Sequence, residues 1–508
     1  MKNKRNPVFV FILLTIGVML LSFVLSLFNF QAEYSTVNQY TSTIQNNVIQ
    51  VENLFSFDGI KYILTSTVNN FVNFAPLGNL IIILIGIGVL EKTGLARTFF
   101  TLITQSFRKN SITYILILLS IISSLFGDIG FVLLLPIGAM LFKYGHRNPL
   151  GGIIASFTGI CFGTGINVFL TSIESSLLTL TISSAKVIDS TYEIGIFFQL
   201  FIMLVAIITG SILLTRITEK TIMPSLGKYE FDEVEILDNV NFSKRELRGF
   251  VCSMGASILY ILIIIYMIIP GLPLSGGLLD ASQTHYIDKL FGSNSLFNQG
   301  FVFIVTFLFI IAGFTYASVA KTVKGDKEIS ECLSYSLDGI GNILVLIFVA
   351  SLFINTFDKS NIGLVFVALL TNLINVFKFS GIGLILLLFA ICILSGLIYT
   401  GLLSKWKIMS STVVPALMNS SISPEFAQVS YVAGSSISMA FTPLTPYFVI
   451  YLALLIKYDK SDKVTLFGTF KYLRSYGIVM LIMWVILILG FYITGLPIGI
   501  GSYPTLTY

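Results

Sequence analysis

Residues 127–167 read GDIGFVLLLPIGAMLFKYGHRNPLGGIIASFTGICFGTGIN, an apolar run with glycine and polar residues at both ends. Residues 404–446 read SKWKIMSSTVVPALMNSSISPEFAQVSYVAGSSISMAFTPLTP. The two stretches share a pattern: a proline, Pro149 or Pro424, lies ten residues before a glycine, and polar, helix-breaking residues follow. Interrupted backbone at membrane depth is tolerated only where protein or water satisfies its N–H and C=O groups. The repeated pattern therefore predicts the substrate and ion site of a secondary transporter.

The rest of the composition agrees with a membrane protein. The chain has 508 residues, of which 55% are hydrophobic and 11% charged, and its mean hydropathy is +0.91. Apolar runs of about 20 residues recur, which excludes a soluble domain of this length. The first run, 8–30, follows Lys2, Lys4 and Arg5 and lacks an Ala-x-Ala cleavage site, so we expect a retained anchor helix.

Other function classes find little support. The four cysteines are scattered without metal-ligand spacing, and both histidines, His146 and His285, fall in predicted loops. No nucleophile–base pair, phosphate loop or zinc motif is present, so the sequence does not predict an enzyme. No basic patch interleaved with aromatic residues indicates nucleic acid.

The apolar runs predict the fold. Seven uninterrupted runs are long enough to cross a bilayer: 8–30, 75–92, 196–217, 249–270, 298–319, 334–357 and 472–495. Two longer runs, 150–184 and 425–457, contain the polar breaks and are read as broken helices. Two segments, 112–144 and 383–420, each hold two shorter apolar arms around a polar tip and are read as re-entrant hairpins. We predict an all-α polytopic membrane protein with about nine transmembrane helices plus two re-entrant hairpins in an inverted-topology repeat.

Charge and polarity predict the organisation around these spans. The first half, 1–217, and the second half, 249–508, are separated by a charged cytoplasmic linker, 218–248. Residues 31–70 form a polar outer loop that ends in an amphipathic helix near 55–74.

Positive charges predict the orientation. With the N-terminus in the cytoplasm, inside segments hold 23 of the 30 Lys and Arg residues, as the positive-inside rule expects. The other seven are Lys61, Lys186, Lys289, Lys359, Lys378, Lys405 and Lys407. The C-terminus is then outside, and the two hairpins enter from opposite sides. Charge alone does not separate hairpins from pairs of crossings; the short arms and polar tips favour hairpins.

Two carboxylates are candidates for coupling to an ion or proton. Asp128 sits at the glycine-flanked tip of the first hairpin, where an ionised group is costly unless paired or hydrated; the alternative is a tip that reaches interfacial water. Glu174 follows Asn167 by seven residues, about two helical turns, so both side chains face one side. It is the only acidic residue between Pro149 and Lys186. The alternative for Glu174 is an interfacial side chain.

Hard oxygen ligands accompany both breaks. They are Thr164, Asn167 and the carbonyls near Gly163 and Gly165 in the first repeat, and Ser435, Ser436, Ser438 and Thr442 in the second. Unwound carbonyls and hydroxyls of this kind can hold Na⁺, while half-helix N-termini attract an anionic substrate. Single Ser and Thr residues are also common as packing contacts in membrane helices. The paired clusters favour a substrate site with Na⁺ or H⁺ as coupling ion and no other cofactor or metal.

The second hairpin tip is unusual. Ser404, Lys405 and Trp406 could contact substrate, with Lys405 meeting a carboxylate or phosphate and Trp406 stacking on an aromatic ring. The alternative is a pair of interface anchors, a common role of Lys and Trp. Pro443 holds the second broken helix open beside the substrate.

The chain also resembles the AbgT (aminobenzoyl-glutamate transporter) family along nearly its whole length. The matching stretches are FAPLG (74–78), GIGVLEKTGL (86–95), residues 128–142, SKW (404–406), TPLTPYF (442–448) and GLPIG (495–499). The resemblance implies ion-coupled transport, with aminobenzoyl-glutamate uptake and sulfonamide-type efflux as family activities. It also implies a homodimer, nine transmembrane helices with two hairpins per protomer, and elevator-like movement of a core against a dimer scaffold.

This chain departs from the family pattern at the site. Where the family usually has Arg-Ile-Gly-Asp-Ser, residues 432–436 read VAGSS, so both charges are missing. The family's Asp on the first broken helix appears as Glu174, and Leu402 and Leu403 replace small polar residues. Lys405, Trp406, Pro424 and Pro443 persist.

We therefore expect an ion-coupled secondary active transporter, symporter or antiporter, of a small anionic or aromatic solute. We place it in a bacterial inner (cytoplasmic) membrane. A passive channel for ions or small solutes is the alternative, because channels also use re-entrant hairpins. An inverted pair of breaks that converges at mid-membrane favours the carrier.

Overall fold

The computed structural model describes residues 6–38, 41, 43–127, 129–168, 171–231, 242–292, 294–377, 379–460 and 464–506. The predictions that concern Asp128, Lys378 and part of the linker (232–241) lie outside these residues. Within these residues the fold is all-α apart from one antiparallel pair of strands, β1 (Gln31–Val37) and β2 (Ile44–Gln50), and two isolated β-bridges.

The described helices follow in chain order. In the first half they are α1 Pro7–Leu27, α2 Phe57–Val72, α3 Ala75–Thr93, α4 Leu95–Ser106, α5 Lys109–Ser123, α6 Ile129–Tyr144, α7 Pro149–Gly163, α8 Ser172–Ala185, α9 Leu200–Ile217 and α10 Met223–Leu226. In the second half they are α11 Lys244–Ile268, α12 Tyr286–Phe291, α13 Leu296–Ala320, α14 Asp326–Ser334, α15 Ile340–Lys359, α16 Ile362–Phe377, α17 Gly381–Ile398, α18 Leu402–Met418, α19 Pro424–Met439, α20 Pro446–Tyr458 and α21 Leu466–Thr494.

Within the described residues, nine helical segments are long and apolar enough to span a bilayer, which confirms a polytopic membrane protein. Seven of them overlap the seven uninterrupted runs predicted above. The other two, Lys109–Phe126 and Gly381–Ile398, are the first arms of the predicted hairpins, and both are longer than their sequences suggested. The broken helices drop out of this set because each is divided into halves of 13 to 16 residues.

The first break occurs where the sequence predicts it, because α7 ends at Gly163. The second break lies later than predicted, since Ser435, Ser436 and Ser438 are still inside α19, which ends at Met439. α7 begins with Pro149 at its first position, where the missing N–H costs nothing, and Asn148 caps it by accepting from the Leu150 N–H at 3.1 Å. Helix resumes at α8 through a capping box between Thr171 and Glu174. In the second repeat, Pro424 starts α19 behind a Ser423 cap, and Pro446 starts α20.

Glycines let each broken helix pack tightly against its hairpin. A Cβ on Gly152 of α7 would lie 2.0 Å from the Gly138 carbonyl oxygen of α6, so these backbones are in direct contact. On the other arm, a Cβ on Gly163 would lie 2.7 Å from the Ile121 oxygen of α5. α7 therefore packs against both arms of hairpin one, and α19 packs in the same way against α17 and α18.

The structure adds elements that the sequence analysis missed. The predicted outer loop contains the β1–β2 hairpin, which packs on α16 and α18 and is called the strap below. α16 and the short amphipathic helix α4 precede hairpins two and one respectively, and neither was predicted. The predicted span 334–357 begins later, at Ile340, because Tyr335–Leu337 form a separate 3₁₀ turn.

Candidate functional site

One cavity of about 370 Å³ lies where the two hairpins and the two breaks converge; we call it the central cavity. Its lining comes from both repeats: Ser124, Gly127, Phe131, Thr164, Asn167, Thr171, Ile173, Glu174, Gly396, Thr400, Gly401, Leu402, Leu403, Ser404, Lys405, Ser435, Met439, Thr445, Pro446 and Tyr447. Both hairpin tips therefore reach the level of the helix breaks. Since a break lies between the two halves of a crossing helix, the tips end part-way through the fold, as re-entrant hairpins do.

The first break is organised by Asn167. Its Oδ1 accepts from Ser124 Oγ at 2.9 Å, and its Nδ2 donates to a Glu174 carboxylate oxygen. Its backbone carbonyl accepts from Gln199 Nε2 at 2.8 Å. The other Glu174 oxygen accepts from the Thr171 N–H at 3.1 Å. Asn167 thus joins the hairpin-one tip, the break and the start of α8 and α9.

The first break directly touches helix α19 of the second repeat. A Cβ on Gly165 would lie 2.5 Å from Ser436 Oγ, so only glycine lets the first break approach α19 this closely. The Thr164 hydroxyl lies 3.7 Å from the Met439 sulfur. The Gly163 carbonyl oxygen also lies 2.9 Å from Ser124 Oγ, so the single Ser124 hydroxyl proton is shared between this carbonyl and Asn167 Oδ1.

Lys405 is the buried cation of the site. It lies in the first turn of α18, is only 1% exposed, and lines the central cavity. Its Nζ lies 5.3 Å from the centre of the Tyr431 ring, a cation–π contact. Within the described part of the chain no carboxylate pairs with it. A buried charge without a counter-ion is costly, so this position favours an anion in the cavity.

The other predicted site residues divide into two groups. Thr164, Asn167, Glu174, Ser404 and Ser435 line the central cavity. Outside its lining lie Gly163, Gly165, Trp406, Ser436, Ser438, Thr442 and Pro443. Ser436 and Ser438 donate back to the carbonyls of Ala433 and Ser435, and Thr442 accepts from the Leu444 N–H. These residues shape the second break in this conformation.

Trp406 faces away from the central cavity. It is fully buried, stacks on Tyr431 with ring centres 4.4 Å apart, and donates from Nε1 to Thr181 Oγ1 at 2.9 Å. Thr181 in turn donates to Gln428 Oε1 at 2.6 Å. Trp406 thereby ties hairpin two to α8 and α19, and in this conformation no substrate in the central cavity would stack on it.

Replacing Trp406 by Phe tests this placement. Trp406→Phe keeps a ring on Tyr431 but removes the bond to Thr181, so we expect stability to fall by about 1 kcal/mol beyond the loss from reduced volume. Trp484→Phe is the matched control, because Trp484 is also fully buried but its Nε1 has no hydrogen-bond partner in the described structure. Thermal unfolding of the purified variants measures the difference. Equal melting temperatures for Trp406→Phe and Trp484→Phe would contradict this placement. Weaker solute binding by Trp406→Phe but not by Trp484→Phe would also contradict it.

Several cavity residues were missed by the sequence analysis. Ser124 lies just before the tip of hairpin one, and Thr400 lies in the tip of hairpin two, between α17 and α18. Phe131 stacks on Tyr447 with ring centres 4.5 Å apart. Gln199 bonds the first break from α9. The position of Ser124 three residues before Gly127 was a usable signal; nothing in the sequence alone singled out Gln199 or Tyr447.

The donor set at the breaks is made of hydroxyl, amide, carboxylate and carbonyl oxygens. Among the described residues no group of three or more His, Cys, Asp or Glu side chains could hold a metal ion. Oxygen donors without thiols or imidazoles suit hard cations such as Na⁺ rather than transition metals.

Comparisons with known proteins identify the family of this chain. The model of the AbgT putative transporter family matches residues 3–506. The p-aminobenzoyl-glutamate transport protein of Escherichia coli (strain K12) is 25% identical over 506 residues, covering 99% of this chain and 95% of the relative.

Two solved structures are also similar. The crystal structure of the Alcanivorax borkumensis YdaH transporter is 23% identical, with 97% of this chain and 100% of that chain covered and a TM-score of 0.48. Neisseria gonorrhoeae MtrF, described among antimetabolite efflux pumps, is 26% identical, with 99% and 98% covered and a TM-score of 0.48. Because the family match spans almost every residue, this chain belongs to the AbgT family of membrane transporters.

Proposed function

We propose that the protein is an ion-coupled secondary active transporter of a small anionic or aromatic solute, and that the central cavity is its substrate site. The observation that carries this is the convergence of both breaks, both hairpin tips and Lys405 on a single cavity. Lys405 is buried and has no carboxylate partner among the described residues. Carriers place their sites at such junctions of discontinuous helices.

The lining indicates the chemistry of the solute. Lys405 offers a cation for a carboxylate or another anionic group, and the stacked Phe131 and Tyr447 offer an apolar aromatic wall. A solute with an aromatic ring and carboxylates, as in the p-aminobenzoyl-glutamate named for the Escherichia coli relative, has both features. The volume of about 370 Å³ lies within the usual range for small-molecule sites.

We assign ion coupling to the first break. Glu174 is a buried carboxylate on the cavity wall, held by Asn167 and the Thr171 N–H, with no basic side chain bonded to it among the described residues. A carboxylate in this position can take up a proton or complete an oxygen site for Na⁺ with Asn167 and Thr164. Asp128 remains a second proposed coupling residue.

Glu174→Gln should uncouple transport from the ion. The amide oxygen can still accept the Thr171 N–H, so the capping box survives. The amide NH2 would then face the Asn167 Nδ2 donor, and the loss of that hydrogen bond should cost about 1–3 kcal/mol of stability. In this variant residue 174 no longer carries the negative charge that a proton or Na⁺ would neutralise. We expect concentrative uptake or efflux to be lost while exchange of solute across the membrane persists.

Parallel measurements of gradient-driven flux and solute exchange in proteoliposomes test this. The control is Glu331→Gln, because Glu331 is a half-exposed surface residue whose partner is Lys92 at 3.6 Å. Unchanged ion dependence in Glu174→Gln would remove Glu174 from the coupling site.

We further propose elevator-like alternating access in a homodimer. The hairpins, broken helices, α9 and α21 pack on one another as a core, while α3, α11 and α13 pack together as a second layer that touches the core through α3, α6 and α20. Lys457 of α20 donates to the Ser336 carbonyl at 2.9 Å, and Ser336 Oγ donates to Glu91 of α3 at 2.9 Å, so polar contacts cross between the groups. We also propose that the protein lies in the bacterial inner membrane, with its N-terminus in the cytoplasm and its C-terminus outside.

Counterflow in proteoliposomes tests the function as a whole. Aromatic carboxylates, folate fragments and sulfonamides should exchange across the membrane, with net movement driven by a Na⁺ or H⁺ gradient. Absence of exchange for every such solute would defeat the proposal. Discrete single-channel currents would show the passive channel instead.

A further inference from the structure

A second cavity adjoins the central one. It has a volume of about 550 Å³ and is walled by the strap, α8 and the first turns of α18; we call it the vestibule. Its lining residues are Thr36, Val37, Asn38, Gln45, Ser176, Thr179, Leu180, Leu403 and Lys407. Among these described lining residues Lys407 is the one charged side chain, so the vestibule has a positive bias.

The strap is anchored to hairpin two. Ser411 Oγ of α18 donates to the Ser35 carbonyl of β1 at 2.6 Å, and Asn372 Nδ2 of α16 donates to the Glu33 carbonyl at 3.0 Å. The vestibule is thus a walled space built on the same hairpin that carries Lys405.

Leu403 lines both cavities. It is 43% exposed in the first turn of α18, where its apolar side chain lies between the two cavities. Lys407 lies one helical turn after it and faces the vestibule, while Lys405 faces the central cavity. Two cations therefore stand on either side of one apolar residue.

We propose that the vestibule is an access route to the central cavity, with Leu403 as its gate and Lys407 as a capture site for small anions. The inference rests on the proposed function of the central cavity as substrate site. A positively charged cleft raises the local concentration of anions, and an anion leaving Lys407 would pass Leu403 to reach Lys405.

Cysteine accessibility tests the gate without requiring a known substrate. The background variant is Cys252→Ser, because Cys252 is the exposed cysteine and the other three are buried. Ser435→Cys places a reporter on the central cavity wall. An impermeant, anionic methanethiosulfonate applied to intact cells should modify it several-fold faster in Leu403→Ala and several-fold more slowly in Leu403→Trp. Opposite effects of the two substitutions cannot come from simple misfolding.

Two comparisons sharpen the result. Leu394→Ala is the matched control, since Leu394 is an exposed leucine on the other arm of hairpin two and lines neither cavity. Lys407→Gln should slow modification by the anionic reagent by about tenfold and leave a neutral reagent of similar size unaffected. If Ser435→Cys is modified at the same rate whether residue 403 is Ala, Leu or Trp, Leu403 is not a gate, and this result does not depend on any transport assay. If the modification rates change with residue 403 as expected but no solute is transported, the proposed transport function is wrong, while the access route through the vestibule is still supported.

Discussion

Lys405→Met should abolish high-affinity binding of anionic solutes. Removing one partner of a buried charge pair typically costs about 2–5 kcal/mol, which corresponds to a loss of affinity of roughly 30-fold or more. Methionine keeps a long, unbranched chain against Tyr431, so packing changes little. The solute-free protein should become no less stable, because an unpaired charge no longer has to be buried.

A thermal-shift titration of purified protein with aromatic carboxylates measures this effect, since ligands that bind the folded state raise the melting temperature. Lys471→Met is the control, because Lys471 is exposed on α21 and lines neither cavity. Neutral amide analogues of the same solutes should bind wild type and Lys405→Met with similar affinity. If carboxylates stabilise Lys405→Met as well as wild type, Lys405 is not the anion contact.

Gly152→Ala should strongly destabilise the first repeat. The added Cβ would lie 2.0 Å from the Gly138 carbonyl oxygen and 2.6 Å from its carbonyl carbon, both backbone atoms that cannot swing aside. α6 and α7 would have to separate, and overpacking of this kind costs about 1–3 kcal/mol or more. The first break and the tip of hairpin one would move together, since both are held by α7.

Yield of monodisperse protein and its melting temperature report the effect. Gly490→Ala is the matched control: it lies inside helix α21, and a Cβ there meets no atom within 4 Å. Alanine favours helix more than glycine does, so the control should be neutral or slightly stabilising. Equal melting temperatures for the two variants would show that α6 and α7 have room to adjust.

The sequence predicted those parts of the fold that depend on the backbone preferences of a few neighbouring residues. Pro149, Pro424 and Pro446 each start a half-helix, because proline lacks an N–H and pre-sets φ for a first turn. The hairpins and breaks followed from polar residues inside apolar runs. The strap escaped prediction because its polar alternation resembles an exposed loop, and α16 because it is too short for a span.

The sequence predicted which segments form the candidate site, but not which of their side chains face the central cavity. The residues of the two breaks were chosen from type and position, yet the sequence could not distinguish Lys405, which lines the cavity, from Trp406 beside it, which packs against Thr181 and Tyr431. One residue along a helix turns the side chain by about 100°. Which of two neighbours faces substrate therefore depends on how the helix is rotated against its partners.

The sequence by itself determined that the chain spans a membrane, that two helices break, and that each break has its own hairpin, because hydropathy and proline or glycine placement act within a few residues. Only the tertiary structure decided that Gly165 meets Ser436, that Leu403 stands between two cavities, and that Lys405 lacks a carboxylate partner among the described residues. Those contacts join residues more than 200 positions apart or depend on helix rotation, and they arise from the packing of whole helices.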